Sequence, residues 1–532
     1  MRTLTGTGAL IKLALRRDRN MLVIWLYVLT AFVAASVYGF RNLYPNAAAR
    51  EAFIAAAGTN PALLSLYGPL YGNSLGSLTA WRVSAFLALG AALMSIFLVV
   101  RHTRADEESG RLELIGAAVV GRHAPLACAV AVAWIANLVI GVAMTVAAVA
   151  LGLPAAGSTA MVAGIVGCGL AFAGVAAVTA QLAQSGRTAR GLALCVLLVA
   201  FLLRATGDSA GPGGPRWLSW LSPVGWAELD QAFGTIRWWV LVLPVLTALV
   251  VTVGAAVLAA GRDYDAGLIA QRPGSAVGSP SLASPLALAW RLQRGSLLAW
   301  IIGAFVYGGV VGSAAKGIGG LLGSAQVRRV IATLGGQAAL TNAYLAAILS
   351  FTGLIAAGYA IGAVLRLQSE ESAGHADSVL ATATGRIAWS ASHLVIAAAG
   401  TVAIVLSVGL GAGLGFTYRS GGGGSEIGRL LAAGLAQAPA ALVLGGLAVA
   451  LFGLLPRFSV SGSWSVLGVL VLLLLLGATL RLSHWIMDVS PFTHLPKLPG
   501  GTVHVLPLVL LGLIAVALTG AGLVGVRRRD LG

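Results

Sequence analysis

Two short acidic segments carry charges at spacings that could support ion pairing or the docking of another protein. The first is residues 106–113 (DEESGRLE), and the second is residues 370–377 (EESAGHAD). On a helix, Glu107 lies four residues before Arg111 and Glu371 lies four residues before His375, so each acid could pair with its base. A solvated helix face is the simpler interpretation of either segment alone. Because the pattern occurs twice, we favour a docking surface for a soluble partner.

The remaining motifs do not predict a catalytic centre. The three lysines are Lys12, Lys316 and Lys497, and none completes the Gly-x-x-x-x-Gly-Lys-Ser/Thr loop that binds nucleotide phosphates. The sequence also has no His-Glu-x-x-His motif for hydrolysis within a membrane. We therefore predict no catalytic, cofactor-binding or metal-binding residue on this chain. Any energy from ATP would have to come through another polypeptide.

The composition places these segments in a membrane protein. Of 532 residues, 58% are hydrophobic and 10% are charged, and the mean hydropathy is +0.91. A soluble surface of ordinary charge density cannot be built from this composition. Apolar runs long enough to cross a bilayer as helices recur twelve times, six in each half. We predict an all-α polytopic membrane protein with spans near 21–40, 81–100, 125–153, 159–183, 189–206, 237–261, 297–315, 343–365, 387–416, 428–454, 463–481 and 506–526.

The two halves are copies of one unit. Residues 13–25 match residues 288–300 with Leu, Ala, Arg, Arg, Leu and Trp in register, and the acidic segments follow at a similar offset. Collinear matches at nearly constant spacing indicate a duplication. Six spans per half is an even number, so the repeat is parallel. We assign 1–264 to the first half, 265–285 to a cytoplasmic linker rich in Gly, Ser and Pro, and 286–532 to the second half.

Two further pairs of short motifs extend the repeat. Gly121-Arg122 matches Gly385-Arg386 at the same offset as the acidic segments, and Ser222-Pro223 matches Ser490-Pro491. The second pair lies in aromatic segments, 217–226 and 484–492, which are too short to span. Tryptophan is typical of the membrane–water interface, so we expect these segments to rest at the outer surface.

The basic residues predict the orientation. Arg16, Arg17 and Arg19 precede the first span, and residues 527–529 form an arginine triplet after the last. An excess of Lys and Arg marks the cytoplasmic side, so we expect both termini to be cytoplasmic in a bacterial plasma membrane. The net charge of +17 is then a topology signal and a means of contacting anionic lipid, not an indication of nucleic-acid binding.

The segment before the first span of each half has its own pattern. Arginine, leucine and tryptophan recur every three residues, which is typical of one side of a helix that passes from polar to apolar surroundings. A helix that lies in the interface and then turns into the membrane would fit, and so would an ordinary basic flank. The candidate interfacial residues are Arg16, Arg19, Trp25, Arg291, Arg294 and Trp300.

Residues 101–114, with their repeat at 365–378, resemble the fused double-length permeases of ATP-binding-cassette exporters. They are especially similar to the permeases of actinobacterial polyketide-antibiotic exporters of the tetronasin type. The resemblance implies that each acidic segment is a coupling helix that rests on a separate ATPase, with two ATPase copies carrying ATP and Mg. It implies a coupling role for Asp106, Glu107, Glu108, Gly110, Arg111, Glu113, Glu370, Glu371, Gly374, His375 and Asp377.

The resemblance also implies a function, namely the export of hydrophobic or amphipathic compounds such as drugs or polyketide antibiotics. Three alternatives remain: a permease for lipid or polysaccharide, an ion-coupled twelve-span drug carrier, and a membrane scaffold that transports nothing. Ion-coupled carriers normally need an acidic residue within the membrane, whereas all 17 acids of this chain fall in predicted loops or at span ends. Membrane lipid and a small hydrophobic substrate complete the expected partners.

Overall fold

The computed structural model describes residues 2–58, 61–209, 214–262, 266–269, 277–315, 336–420, 424–476 and 483–529. The chain forms two compact units, Met1–Gly274 and Ser275–Gly532. Within the described ranges, twelve helices are long and apolar enough to cross a membrane, six in each unit. The predicted all-α fold with twelve spans is therefore confirmed.

The first unit contains six spans with short helices between them. A continuous apolar run forms a helix in a membrane because only there can every backbone N–H and C=O be satisfied within the segment. Two short helices, Ala47–Ala57 and Pro61–Tyr67, connect the first and second spans, and Pro223–Leu229 lies between the fifth and sixth. The spans are Thr7–Leu43, Leu75–Val100, Ala124–Ala150, Ala155–Leu182, Gly186–Ser209 and Val242–Ala260.

The second unit repeats this order with one break. The tenth span is divided into Gly424–Leu435 and Ala438–Leu454, whereas the sequence predicts one run over 428–454. The end of the predicted eleventh span, 477–481, lies outside the described residues. The remaining spans are Pro285–Ala315, Gly336–Val364, Arg386–Ser420, Ser459–Leu476 and Val505–Arg528.

The second and fourth spans form the core of the first unit. Of the 18 residues in the apolar stretch of each span, 72% are buried in the second and 78% in the fourth, against 17% in the first. The equivalent eighth and tenth spans are the most buried of the second unit, at 72% and 67%. The outer spans accordingly expose apolar side chains, as lipid-facing helices do.

The seventh and ninth spans pack backbone against backbone. A Cβ added to Gly308 or Gly312 would lie 2.2 or 2.0 Å from a carbonyl oxygen of the ninth span. A Cβ on Gly411 or Gly415 would lie 2.2 Å from a carbonyl oxygen of the seventh. Small residues four apart let transmembrane helices approach this closely.

Part of the predicted linker is bound to the first unit. The N–H groups of Leu268 and Ile269 donate to Gln181 and Leu182 at the end of the fourth span, at 3.1 and 3.0 Å. The carbonyl of Ala266 accepts from Arg104 and Arg262. Residues 270–276 of the predicted linker lie outside the described residues.

Candidate partner-docking site

Each acidic segment is a bend between two short helices. The second span continues through a π-helical turn, Arg101–Ala105, to Asp106–Glu108, and the helix Arg111–Gly116 follows. The chain turns at Gly110, whose φ of +69° lies in the left-handed region that glycine adopts most easily. In the second unit, Arg366–Ser372 and His375–Leu380 flank Gly374, with a φ of +70°. We call 106–116 the first elbow and 366–380 the second elbow. The acidic helix expected in each unit is thus two short helices separated by a glycine.

Asp106 is enclosed by basic side chains. Its side chain is 8% exposed, and Arg17 Nη1 lies 2.9 and 3.0 Å from its two carboxylate oxygens. Arg111 Nη1 is 3.3 Å away and His102 Nδ1 is 3.7 Å away. A carboxylate removed from water needs such partners. Asp106 therefore holds the first elbow against the start of the first span and is not itself open to a partner protein.

Glu107 is also internal, with a side chain only 4% exposed. Arg262 Nη2 lies 3.1 Å from both of its carboxylate oxygens, and Arg104 Nη1 lies 3.2 Å away. Arg262 follows the sixth span, so this pair joins the ends of two spans. The expected Glu107–Arg111 pairing differs from the structure, in which Arg111 contacts Asp106. The surface position expected for Glu107 was wrong, because the fold brings two arginines onto it.

The second elbow repeats this arrangement. Glu370, the counterpart of Asp106, pairs with Arg366 at 2.6 Å and with His375 Nδ1 at 3.4 Å. Glu371, the counterpart of Glu107, pairs with Arg529, which follows the twelfth span. The expected Glu371–His375 pairing was therefore wrong as well. In both units the first acid contacts the base five residues later, and the second acid contacts an arginine after the last span.

The repeated Gly-Arg pairs complete this contact. Arg122 Nη2 donates to the carbonyls of Ala260 and Arg262 at 2.8 and 3.1 Å. Arg386 Nη1 donates to the carbonyl of Arg529 at 2.7 Å. The last carbonyls of a helix lack partners within the helix, so a cation there is stabilising. We call Glu107, Arg122 and Arg262 the first latch, and Glu371, Arg386 and Arg529 the second latch. Sequence repetition singled out Arg122 and Arg386. Arg529 was noted only as one of the basic residues that indicate topology, and no repeat pointed to Arg262.

The two elbows are held unequally. Arg104 is fully buried and donates to the carbonyl of Ala266 at 2.9 Å, in addition to its contact with Glu107. The residue at the repeat position is Gln368, which is uncharged and donates to the carbonyl of Pro456 at 3.3 Å. In the matched segments before the first and seventh spans, Leu292 stands where the first copy has Arg17. The first elbow therefore has more ionic contacts with its surroundings.

The remaining predicted coupling residues face outward. Glu108, Arg111 and Glu113 are exposed in the first elbow, and His375 and Asp377 are exposed in the second. Glu108 also accepts a hydrogen bond from the N–H of Gly186, at the start of the fifth span, at 3.0 Å. Each elbow thus offers a small charged surface above a buried ionic base. Within the described part of the chain, no group of three or more His, Cys, Asp or Glu residues could hold a metal ion.

The candidate interfacial residues lie on uninterrupted helices. Thr7–Leu43 and Pro285–Ala315 each run from the basic segment directly into the span. Of the two interpretations, this geometry fits the ordinary basic flank and not a helix that turns into the membrane. The stretch 9–38 contains neither Gly nor Pro, and nothing there would break the first helix. A role at the lipid headgroups stays a prediction for these residues. Arg16, Arg19, Arg291, Arg294 and Trp300 are exposed and Trp25 is half-buried.

These features define a twelve-span membrane protein of two units, each with six spans and an ion-paired elbow. Residues 282–527 match the model of the protein family described as "Multidrug efflux system permease Rv1217c, C-terminal domain". The chain is 42% identical over 530 residues to the "Multidrug efflux system permease protein Rv1217c" of Mycobacterium tuberculosis (strain ATCC 25618 / H37Rv), covering 99% of this chain and 95% of that protein. The chain belongs to this family of multidrug efflux permeases. The narrower likeness to tetronasin-type exporters stays a prediction.

Proposed function

We propose that this chain is the permease subunit of an ATP-binding-cassette efflux system in a bacterial plasma membrane. Its cargo would be hydrophobic or amphipathic compounds of the drug or polyketide-antibiotic class. Family membership supports the permease role, and the description of the Mycobacterium tuberculosis relative as a multidrug efflux permease supports the class of cargo. The chain would not be an enzyme, because its lysines do not complete a phosphate-binding loop.

The observation that carries the proposed coupling is the pair of latched elbows. Each exposes an acid at the same repeat position, Glu113 in the first and Asp377 in the second. Each elbow would bind one copy of a separate ATPase subunit, which carries ATP and Mg. Closure of the ATPase pair would move the elbows. In the first unit, the Glu107–Arg262 pair and the contacts of Arg122 would pass this movement to the second, third and sixth spans.

The contacts within the first unit also support the proposed topology. The start of the first span reaches the elbow through Arg17, and the end of the sixth span reaches it through Arg262. The second span ends at the first elbow, the first span begins beside it, and the sixth span ends beside it. These three ends therefore lie on one face of the unit. Arginine is abundant on this face, so we assign it to the cytoplasm, together with both termini.

The test uses charge reversal at the exposed acids, Glu113→Lys and Asp377→Lys. A charge of the wrong sign at a contact costs affinity, so each variant should copurify with less ATPase and export less drug than the parent. Membrane levels should not change, because an exposed substitution usually alters stability by about 0.5 kcal/mol or less. Glu51→Lys is the matched control, since Glu51 is an exposed acid on a helix between the first and second spans.

Two results would contradict the proposal. ATP hydrolysis by the purified chain without a partner would show that the assignment of the ATPase to another subunit is wrong. Efflux that persists without any ATPase and stops when the proton gradient is collapsed would instead establish an ion-coupled carrier. Hydrolysis stimulated by lipid or polysaccharide, but not by drugs, would replace only the proposed cargo.

A further inference from the structure

The segment between the fifth and sixth spans penetrates the first unit. Its helix, Pro223–Leu229, is preceded by the capping residue Ser222. The Ser222 hydroxyl donates to the carbonyl of Ala200 in the fifth span at 2.6 Å. We call residues 222–237 the outer hook. Trp217 is 62% exposed, as expected of a residue resting at the outer surface, but Trp226 is only 8% exposed. The prediction of a surface segment therefore fails after Ser222.

The hook is wedged between the second and fourth spans by a strained turn. Gln231 and Phe233 have φ values of +52° and +63°, a region that residues other than glycine seldom adopt. The Phe233 ring fills the space left by Gly76 of the second span and Gly157 of the fourth. A Cβ at those glycines would lie 2.3 and 2.2 Å from its Cδ1 atom. Strain of this kind persists only where the surrounding structure holds it.

One buried arginine near the hook is shared by two acids. The Arg204 side chain is fully buried, and its Nη2 lies 2.6 Å from Glu228 Oε1. Its Nε lies 2.7 Å from Asp208 Oδ2, and its Nη1 donates to the carbonyl of Ser65 at 2.8 Å. All three nitrogen atoms of the Arg204 guanidinium therefore already have a partner, and a third carboxyl group has none left to pair with.

Asp230 is that third carboxyl group. It is 1% exposed, and its Oδ1 accepts from the N–H of Ala232 at 3.2 Å. Its Oδ2 has no hydrogen-bond partner among the described residues and faces Gly164 of the fourth span, where an added Cβ would lie 3.1 Å away. Leaving a charge buried without a partner is so costly that such a group usually becomes neutral.

A small cavity adjoins Asp230. It measures about 20 Å³ and is lined by Tyr71, Ser77, Trp81, Ser84, Glu228 and Asp230, among others. A cavity of this size accommodates about one water molecule, so an organic ligand does not fit. Burial raises the pKa of Asp230 to about 7, against a smaller opposing effect of the Ala232 N–H. Burial also raises the pKa of Glu228, with Arg204 opposing.

The charged groups around this site are two acids, Asp208 and Glu228, and two arginines, Arg204 and Arg237. Tyr71 precedes the second span, Arg204 and Asp208 lie on the fifth span, and Glu228 lies on the hook itself. Arg237, ahead of the sixth span, donates its backbone N–H to the carbonyl of Asp230 at 2.8 Å. The fourth span presents Gly164 to the carboxyl group, and its titratable residue is Cys168, one turn further along.

We propose that Asp230 is a proton-binding site, whose carboxyl group holds a proton while the hook is wedged between the second and fourth spans. When the hook lifts and water reaches the site, the proton leaves to the medium and the carboxylate is hydrated. Acid would therefore favour the seated hook. The consequence for export rests on the proposed function: opening of the permease at this face would be accompanied by proton release. The titration itself does not depend on that function.

The test is the thermal unfolding of the full chain in detergent as a function of pH. A carboxyl group whose pKa is raised on folding binds its proton more tightly in the folded chain. Its contribution to stability is complete below the unfolded value of about 4 and is lost as the pH rises to about 7. Asp230→Asn imitates the protonated group. It should melt close to the parent at about pH 4 and above the parent at about pH 8.

The control is Asp488→Asn, in the aromatic segment 484–492 of the second unit, because Asp488 is exposed. It should melt with the parent at both pH values. A difference between Asp230→Asn and the parent that is the same at both values would overturn the proposal. So would a melting point for Asp230→Asn below that of the parent at the higher pH.

Two further measurements separate a proton from a metal cation. The infrared difference spectrum between the two pH values should contain a protonated-carboxyl C=O band that disappears in Asp230→Asn. Sodium or potassium chloride should stabilise the parent at the higher pH no more than choline chloride does. Stabilisation by sodium or potassium that Asp230→Asn abolishes would show that the site binds a metal cation, which would refute the proposal.

Discussion

Two acids six residues apart in the first elbow have opposite surroundings. Glu107 is enclosed by Arg104 and Arg262, whereas Glu113 points away from the unit. The same substitution should therefore have different consequences at the two positions. A buried ion pair contributes little net stability, but removing one partner leaves the other charge buried and uncompensated.

We predict that Glu107→Lys destabilises the first unit by about 3–5 kcal/mol, because it places a third positive charge beside the buried Arg104 and the partly buried Arg262. Thermal unfolding in detergent and the level of protein in the membrane are the measurements. Glu113→Lys is the matched control and should cost about 0.5 kcal/mol or less. We expect Glu371→Lys to be milder than Glu107→Lys, since the Glu371 side chain is 21% exposed. Equal stability of the Glu107 and Glu113 variants would contradict the buried latch.

At the scale of secondary-structure elements, the close packing of the seventh and ninth spans depends on glycine. Gly312 of the seventh span lies where a Cβ would be 2.0 Å from the carbonyl oxygen of Ala412, in the ninth span. A helix backbone cannot move aside as a flexible side chain can. Larger residues at this position must separate the two helices.

We predict that Gly312→Val lowers the stability of the second unit by about 1–3 kcal/mol or more, as overpacking does in other tightly packed cores. The matched control is Gly303→Val on the same helix, where an added Cβ has no atom within 4 Å. Resistance to proteolysis and the thermal midpoint of the purified protein are the measurements. If the two variants are equally stable, the two helices do not pack as closely as described.

At the scale of the whole molecule, one chain supplies two units, each with six spans and one elbow. A permease whose chain held only one such unit would need two copies of that chain to provide twelve spans and two elbows. We therefore predict that one copy of this chain binds two ATPase subunits. The mass of the intact complex, measured in detergent, tests this stoichiometry. Two copies of the chain with two ATPases would refute it, and a chain with a single ATPase would show that only one elbow docks.

The two elbows of the molecule also differ in the number of basic residues that hold them in place. The first elbow is held by Arg17 and Arg104, whereas the second has Leu292 and Gln368 at the corresponding positions. The exposed charges differ too, since Arg111 is matched by His375. If only one ATPase remains bound when the complex is diluted, its site identifies the stronger of the two docking surfaces.

The sequence alone determined the fold class, and its internal matches predicted two repeated halves. Twelve apolar runs predict twelve helices because hydrophobicity and length are local properties, and a lipid environment leaves few other structures available. The acidic segments, their glycines and the Gly-Arg pairs were likewise visible as repeats. The exposed acids Glu113 and Asp377 could be named from that pattern alone.

Only the tertiary structure decided which of the acids are buried and what they contact. Glu107 and Arg262 are 155 positions apart, and Glu371 and Arg529 are 158 apart. Helical spacing suggested nearer partners, but packing places the end of the last span of each unit beside its elbow. Asp230 was hidden for the same reason, because it directly follows an aromatic segment that resembles an interfacial anchor. Burial depends on the glycines of distant helices that make room for a side chain, and no local pattern encodes that space.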